Sequence, residues 1–361
     1  MLQLASLGNN LVSERRCPFE PWQVRTLNRK TAMTRPLVAT LLACLALSAG
    51  CSTRAANPSL PVPTAGNPTT ISPQATGPSQ TPTSATFAII GDYGIANGHE
   101  RAVANLVASW HPAYVIAVGD DYYSPAGGTG TGKYDNSTGA FYGAWIGRAL
   151  ATTTAAPPGQ RTVNGFFPAL GNHDYSDATP SPETYLTYFT LPGAGFTNTS
   201  GNERYYDFLE GPVHFFVLNS NAEEPDGTSS TSKQARWLKT QLAASTSRWN
   251  IVYDHHPPYS SDSVHGSTVY MQWPFAQWGA DAVISGHAHV YERVMRDNIA
   301  YFVNGLGGAA RYGFSTPVAG SAVRYRADWG AQKATVTSST LEFAFYDATG
   351  GLVDRYRLPA K

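Results

Sequence analysis

Five places in the chain gather side chains able to bind hard metal ions: Asp92, Asp120 with Tyr123, Asn172 with His173, His255, and His287 with His289. Carboxylate, phenol, carboxamide and imidazole donors without a thiolate favour iron, manganese or zinc over softer metals. Two such ions about 3.5–4 Å apart need at least one bridging carboxylate to screen their repulsion. Asp120 is the best bridge, because Tyr123 three residues on can bind one ion while other segments supply the second. A centre of this kind serves hydrolysis.

Each donor group closes a short apolar run. The runs cover residues 87–90, 115–118, 166–170, 251–253 and 282–285. A continuous apolar run bounded by turn residues reads as a buried strand of a parallel or mixed sheet. Open α/β sheets bind ligands just beyond the carboxyl ends of such strands, so the five groups should converge. Singly they say little: an Asp after Gly at a strand end is more often a helix cap, Asn172 alone a turn residue, His255 alone a satisfied core group. The weight lies in five strand ends together, four with Gly directly before the first donor, where the backbone must turn sharply and approach an ion.

Segment 99–110 reads as an amphipathic return helix, and a second strand over 114–119 completes a βαβ unit with a right-handed crossover. Helices are predicted over 137–151, 232–245 and 268–280, and surface excursions over 125–136 and 193–204. Toward the C-terminus 299–304, 334–338, 341–346 and 353–358 read as strands without helices between them, with a hairpin turn at 348–351. The predicted fold class is α/β with two packed, mixed sheets. No internal repeat is present.

Lys plus Arg number 25, as do Asp plus Glu, so zero net charge gives no reason to expect a nucleic-acid partner. Residues 37–50 are apolar but too few for an ordinary membrane span, and suit the core of a signal peptide. Arg35 precedes them, and Leu47-Ser-Ala-Gly-Cys51 resembles a bacterial lipobox, in which the signal is removed and Cys51 carries lipid. A buried apolar helix is the competing reading, and the linker that follows argues against it. Met33 would give a signal of ordinary length, leaving residues 1–32 as either an upstream segment or a long n-region. Residues 52–85 are Pro, Thr, Ser, Ala and Gly-rich with Arg54 their only charge, and read as a flexible tether holding a catalytic domain, 86–361, off a membrane. All three cysteines precede residue 52, so that domain has no disulfide and no thiolate.

Asp92-Tyr-Gly94, Gly119-Asp-Asp-Tyr-Tyr123, Gly171-Asn-His-Asp174, Val252-Tyr-Asp-His255 and Gly286-His-Ala-His289 resemble, in order, the five motifs of purple acid phosphatases within the calcineurin-like metallophosphoesterases. The resemblance runs from about Thr86 to the C-terminus and takes in Tyr291-Glu-Arg293 and Asn304-Gly-Leu-Gly-Gly308. The wider superfamily has Asp-x-His at the first motif; here Gly94 replaces that His and Tyr123 is present, the exchange that marks the purple branch. The resemblance implies a four-layer α/β/β/α sandwich with a dimetal site at the C-terminal strand ends. It implies Asp92, Asp120, Tyr123 and His289 on a ferric ion, and Asp120, Asn172, His255 and His287 on a divalent iron, zinc or manganese. Metal-activated hydroxide would then attack a phosphate monoester in line with its leaving alcohol.

His173 should part from Asn172 in the tight turn, leaving its imidazole to bind phosphate or assist the leaving oxygen. His265, in His265-Gly-Ser-Thr268, matches a second substrate-side histidine of small family members; a solvated loop histidine is the competing reading. His256 and Asp254 take supporting or structural roles, and His99, His111 and His214 fall outside every motif. With a tether where larger members carry a β-sandwich, the chain resembles the small, single-domain type. Two other functions stay open: a phosphodiesterase or nucleotide-hydrolysing enzyme on the same scaffold, and a non-catalytic metal-binding surface lipoprotein.

Overall fold

The apolar runs become the strands of two mixed sheets in the computed structural model, which describes residues 84–146, 163–175 and 181–358. The signal run, Cys51 and most of the tether lie outside the described residues. In the first sheet β1 (Ser84–Ile90), β2 (Tyr114–Ala117) and β3 (Phe166–Pro168) run parallel. Three antiparallel strands extend it on the β1 side: β11 (Gly330–Thr337), β12 (Leu341–Asp347) and β13 (Leu352–Leu358). In the second sheet β5 (Val213–Val217), β6 (Trp249–Tyr253), β7 (Ala282–Ser285) and β9 (Ile299–Asn304) run parallel. Antiparallel strands flank them: β4 (Tyr206–Glu210) beside β5, then β8 (Tyr291–Arg296) and β10 (Ser321–Tyr325) beyond β9.

The period-two alternation of strand side chains decides the layering. Phe215, Val217, Ile251, Tyr253, Ala282 and Ile284 join Phe87, Ile89 and Phe343 in one core between the sheets. Their alternates Phe216, Val252 and Val283 face a second core. Aromatic rings seal the space between the sheets, Phe167 stacking on Phe208 at 3.9 Å and Tyr291 on Phe345 at 4.1 Å. Helix Lys233–Ala244 covers the outer face of the second sheet with Ala235, Leu238 and Leu242, a one-sided helical spacing. Helix Gly98–Ser109 packs on β11 through the side that carries Val103, Ala104 and Val107. The result is a helix–sheet–sheet–helix stack. Asn97 caps the latter helix, its side chain accepting from the N–H groups of His99 and Glu100 at 2.9 Å.

Several expectations shift. Residues 268–280 do not form one helix: a 3₁₀ turn, Val269–Met271, and a short helix, Phe275–Trp278, are separated around Pro274, which cannot continue a helix from within. The helical segment placed at 137–151 starts earlier, at Gly132, and passes through a π turn at Asp135–Gly139 to Tyr142. That start lies inside the stretch read as a surface loop. Strands β4, β5, β8 and β10 were not anticipated, because polar residues interrupt them. Within them His214 pairs with Asp207 at 2.9 Å, and Arg293 with Asp354 at 2.7 Å.

Glu100 is fully buried; one carboxylate oxygen accepts from the Ala96 N–H at 2.6 Å, and the other has no hydrogen-bond partner among the described residues. Burial pushes its pKa up to about 9, against the smaller opposing effect of the Ala96 and Ile95 N–H groups. An acid whose folded pKa lies above its unfolded value stabilises fully below the unfolded value, and that stability is lost as pH rises through the folded value. Glu100→Gln should therefore leave stability at pH 4 nearly unchanged and raise it increasingly toward pH 9. Urea-unfolding midpoints compared at pH 5 and pH 8.5, at equal metal content, check this; parallel pH profiles would contradict a buried neutral Glu100.

Candidate metal centre

The donors sit where the parallel strands of both sheets end. Asp92, Asp120 and His287 adopt left-handed backbone conformations, with φ of 55°, 57° and 67°. Non-glycine residues rarely hold this conformation, and it persists only where the surroundings fix it. Two glycines admit the carboxylates: a Cβ on Gly171 would lie 2.2 Å from Asp120 Oδ1, and one on Gly286 would lie 2.7 Å from Asp92 Oδ2. Backbone N–H groups complete the cradle. That of His287 donates to Asp92 Oδ1 and Oδ2 at 3.0 and 2.9 Å, and that of His173 to Asp120 Oδ1 at 2.9 Å.

Two sets of donors result. The carboxylates of Asp92 and Asp120 and the imidazole of His289 are buried, with their ligand atoms within 4.8 Å of one another. The Tyr123 hydroxyl stands among them, 2.8 Å from Asp120 Oδ2, 3.1 Å from His289 Nε2 and 3.4 Å from Asp92 Oδ1. In the second set His255 Nε2 lies 3.0 Å from Asn172 Oδ1 and 3.2 Å from His287 Nδ1. The same His255 nitrogen is 3.4 Å from Asp120 Oδ1. Asp120 thus turns one oxygen toward each set, and all seven residues singled out as metal donors converge.

The far sides of two imidazoles are tied down. His289 Nδ1 meets the Ala310 carbonyl at 2.6 Å, and His255 Nδ1 meets the Val118 carbonyl at 2.9 Å. A hydrogen bond there leaves the Nε2 lone pair facing inward. Tyr312 stacks on the His289 ring at 4.1 Å with 10° between the planes.

Burial and neighbouring charges shift the donors individually. Burial, and then Asp120 and Asp92, push the Tyr123 phenol well above its ordinary pKa. Burial, and then His255 and His256, hold His287 far below the ordinary histidine range. His255 is raised: burial opposes its charged form, but Asp120 and Asp92 together outweigh that. His255 Nε2, His287 Nδ1 and the Asn172 carboxamide oxygen converge beside two buried carboxylates, an arrangement of lone-pair atoms around one point. Imidazole, carboxamide, phenol and carboxylate atoms gathered in this way suit a hard or borderline multivalent cation, so the donor set fits metals.

His173 and Asn172 part as expected: the Asn172 carboxamide turns to His255, while the half-buried His173 ring lies 4.3 Å from the Tyr123 ring. His265 is exposed and packs its ring 4.0 Å from that of His287. The turn that presents it is held by Asp262, which accepts from the N–H groups of Val264, His265 and Gly266 at 2.7, 3.0 and 2.7 Å. His256 meets Ser220 Oγ at 2.8 Å and packs 4.3 Å from His287, with its pKa pushed down to about 2 by burial and then by His255 and His265. It belongs with His255 and His287 in a group of three imidazoles, closer to the donors than a purely supporting role requires. Asp254 instead accepts from Ser285 Oγ. His99 stacks on Trp329, and His214 pairs with Asp207, each away from the donors.

Sequence reasoning passed over Tyr312, Asp262 and the Ala310 carbonyl, which lie on loops without a motif of their own. It also gave no role to Asp121 and Asp174, which lie inside quoted motifs. Asp174 accepts from the Gly171 N–H at 2.8 Å and from Tyr134 at 3.1 Å, and Tyr93 donates to Asp121 at 2.5 Å, bracing the turns beneath the donors.

Residues 85–291 match the family profile described as calcineurin-like phosphoesterase. A protein of Glycine max named purple acid phosphatase is 29% identical over 238 residues, which cover 61% of this chain and 47% of that protein. The chain spans about half the length of the curated relatives it matches. Among solved structures, purple acid phosphatase PPD1 from seeds of yellow lupin (Lupinus luteus) superposes with a TM-score of 0.57 at 17% identity, over 76% of this chain and 53% of that one. GAP50, described as the anchor in the inner membrane complex of Plasmodium, gives 0.58 at 18% identity, over 77% of this chain and 90% of that one. At such identities the likeness is one of fold. The profile match over more than half of the sequence, on a scaffold that brings its strand-end motifs to one centre, establishes that this chain belongs to the calcineurin-like phosphoesterase family.

Proposed function

We propose that the chain hydrolyses phosphate monoesters at a dimetal centre held by Asp92, Asp120, Tyr123, Asn172, His255, His287 and His289. The observation that carries this reading is Asp120, with one oxygen 2.8 Å from the Tyr123 hydroxyl and the other 3.4 Å from His255 Nε2. A carboxylate so placed can serve two cations at once. Curated relatives named purple acid phosphatase support the monoester reading, as does one of Allium cepa named phosphoenolpyruvate phosphatase.

Asp92, Asp120, Tyr123 and His289 would hold a ferric ion, and Asp120, Asn172, His255 and His287 a divalent one. Bound there, the metals would supply Lewis acidity, making water nucleophilic near neutral pH and neutralising phosphoryl charge. The protein does the rest. His173 donates a proton to the leaving oxygen, and His265 contacts the phosphate from the Asp262-held turn. Gly94 cannot be replaced by a histidine ligand on this backbone, since a Cβ there would lie 2.2 Å from the Asp121 carbonyl; Tyr123 takes that place in the donor set.

A ferric phenolate absorbs visible light, so the protein purified without chelator should be pink or violet, and Tyr123→Phe should bleach it. Metal analysis with a visible spectrum decides the matter: a colourless, fully active dizinc or dimanganese protein would remove the ferric assignment and keep the hydrolase. Turnover of an aryl phosphate against a bis-aryl phosphate tests the reaction class, a preference for the diester favouring a phosphodiesterase.

His173→Ala should retain metal and colour but lower turnover roughly 10²–10⁴-fold, the range for a lost general acid. The loss should shrink with good leaving groups such as nitrophenolate. Asn172→Ala should instead lower occupancy of the divalent site, with activity partly restored by added metal. Equal losses from His173→Ala across leaving groups would disprove the division of labour.

We further propose export and a lipid anchor at Cys51. Cys51→Ser should move the protein from the membrane to the soluble fraction at unchanged specific activity; wild-type protein recovered soluble with its N-terminus intact would exclude the anchor.

A further inference from the structure

Next to the segment that contacts His289 lies a groove of about 770 Å³ whose walls include Arg311, Arg324, Arg326, Tyr325, Phe314 and Trp329. No Asp or Glu lines it, and among the described residues none of the three arginines forms an ion pair. Acids near its walls have other partners, Asp347 accepting from the Tyr325 hydroxyl at 3.4 Å and from the Thr349 and Gly351 N–H groups. Glu292, opposite Arg324 in the β8–β10 ladder, accepts from Ser261 and Ser321, and Asp328 accepts from the N–H of Trp329. Three guanidinium groups without an ion pair among the described residues, around one groove, stand out in a chain of zero net charge.

Positive charge on an edge strand such as β10 deters strand pairing, which would account for Arg324 alone. It does not account for Arg311, which comes from another segment and is fixed in place. Its guanidinium lies 4.1 Å over the Trp329 ring, and Nη1 donates to the carbonyls of Arg326 and Ala327. Trp329 is itself held, stacked at 3.4 Å on His99 and donating to the Ala309 carbonyl at 2.7 Å. Both faces of the indole are therefore occupied, and the groove offers it as a prop rather than as a platform for a ligand ring. A guanidinium fixed beforehand loses little freedom on gripping an oxyanion, and its planar fork suits phosphate and carboxylate.

The groove is joined to the metal donors through one short segment. Ala309 donates its N–H to the Asp92 carbonyl at 2.9 Å, the Ala310 carbonyl meets His289 Nδ1, and Tyr312 stacks on the His289 ring. Arg311 sits between the two residues that touch His289. We propose that this groove is an anion subsite for the second acidic group of a polyanionic phosphate ester, a sugar bisphosphate or similar compound, while the ester's scissile phosphate lies on the metals. The inference rests on the phosphomonoesterase reading above. The groove supplies specificity and leaves the chemistry to the centre.

The test compares glucose 1,6-bisphosphate with p-nitrophenyl phosphate on the metal-loaded protein and on an Arg324→Glu/Arg326→Glu variant. The KM for the bisphosphate, relative to that for the aryl phosphate, should rise about tenfold or more, as expected for lost charge-assisted hydrogen bonds. An unchanged ratio overturns the subsite. Should the wild type hydrolyse neither compound, the monoesterase reading fails, and calorimetric titration with tripolyphosphate tests the groove separately. About tenfold weaker binding to the variant then upholds the anion site, and equal binding rejects it.

Discussion

Asp120 holds the site together. Its two oxygens face different donor sets, its backbone is left-handed, and its neighbours leave it no alternative position. A left-handed non-glycine residue costs on the order of 1–3 kcal/mol, and three donors carry that cost here. The surrounding fold must hold them there. It does so with backbone hydrogen bonds from His173 and His287, and with the buried Asp121 and Asp174 carboxylates that brace the turns. Strain at the donors is thus offset by rigidity below them.

That rigidity comes from having two sheets rather than one. Asp92, Asp120 and Asn172 follow strands of the first sheet; His255, His287 and His289 follow strands of the second. Neither sheet carries a complete donor set. The aromatic core between them therefore does more than stabilise the fold: it fixes the separation across which Asp120 and Asp92 meet the imidazoles. Overpacking that core typically costs 1–3 kcal/mol in stability, and here it would also move one half of the centre against the other.

Strands β1, β2, β3, β6 and β7 were legible in the sequence because each contains a short apolar run that ends in a chemical signal. Strands β4, β5, β8 and β10 were not, since residues such as Asp207, His214 and Arg293 disguise them. Their burial becomes tolerable only once a distant partner is in place, which no local window reveals. The converging residues could be picked out as a group because glycine and acid or imidazole recur together at strand ends. Asp262, Tyr312 and the Arg311 groove could not be read that way: they depend on loops whose meeting is decided by the second sheet. His256 shows the limit most plainly, for its sequence position beside His255 gave no sign that its ring would pack against His287.

The close approach of Gly171 and Gly286 to the two carboxylates has a consequence for how such a protein can diversify. At these two points the chain meets the carboxylates with main chain alone, and any side chain there would displace a carboxylate. The floor of the centre is in effect immutable. Variation is freest at the rim, at exposed positions such as Val264, Val269, Arg324 and Arg326. One chemistry could thus be presented to successive substrates by exchanging only its surroundings.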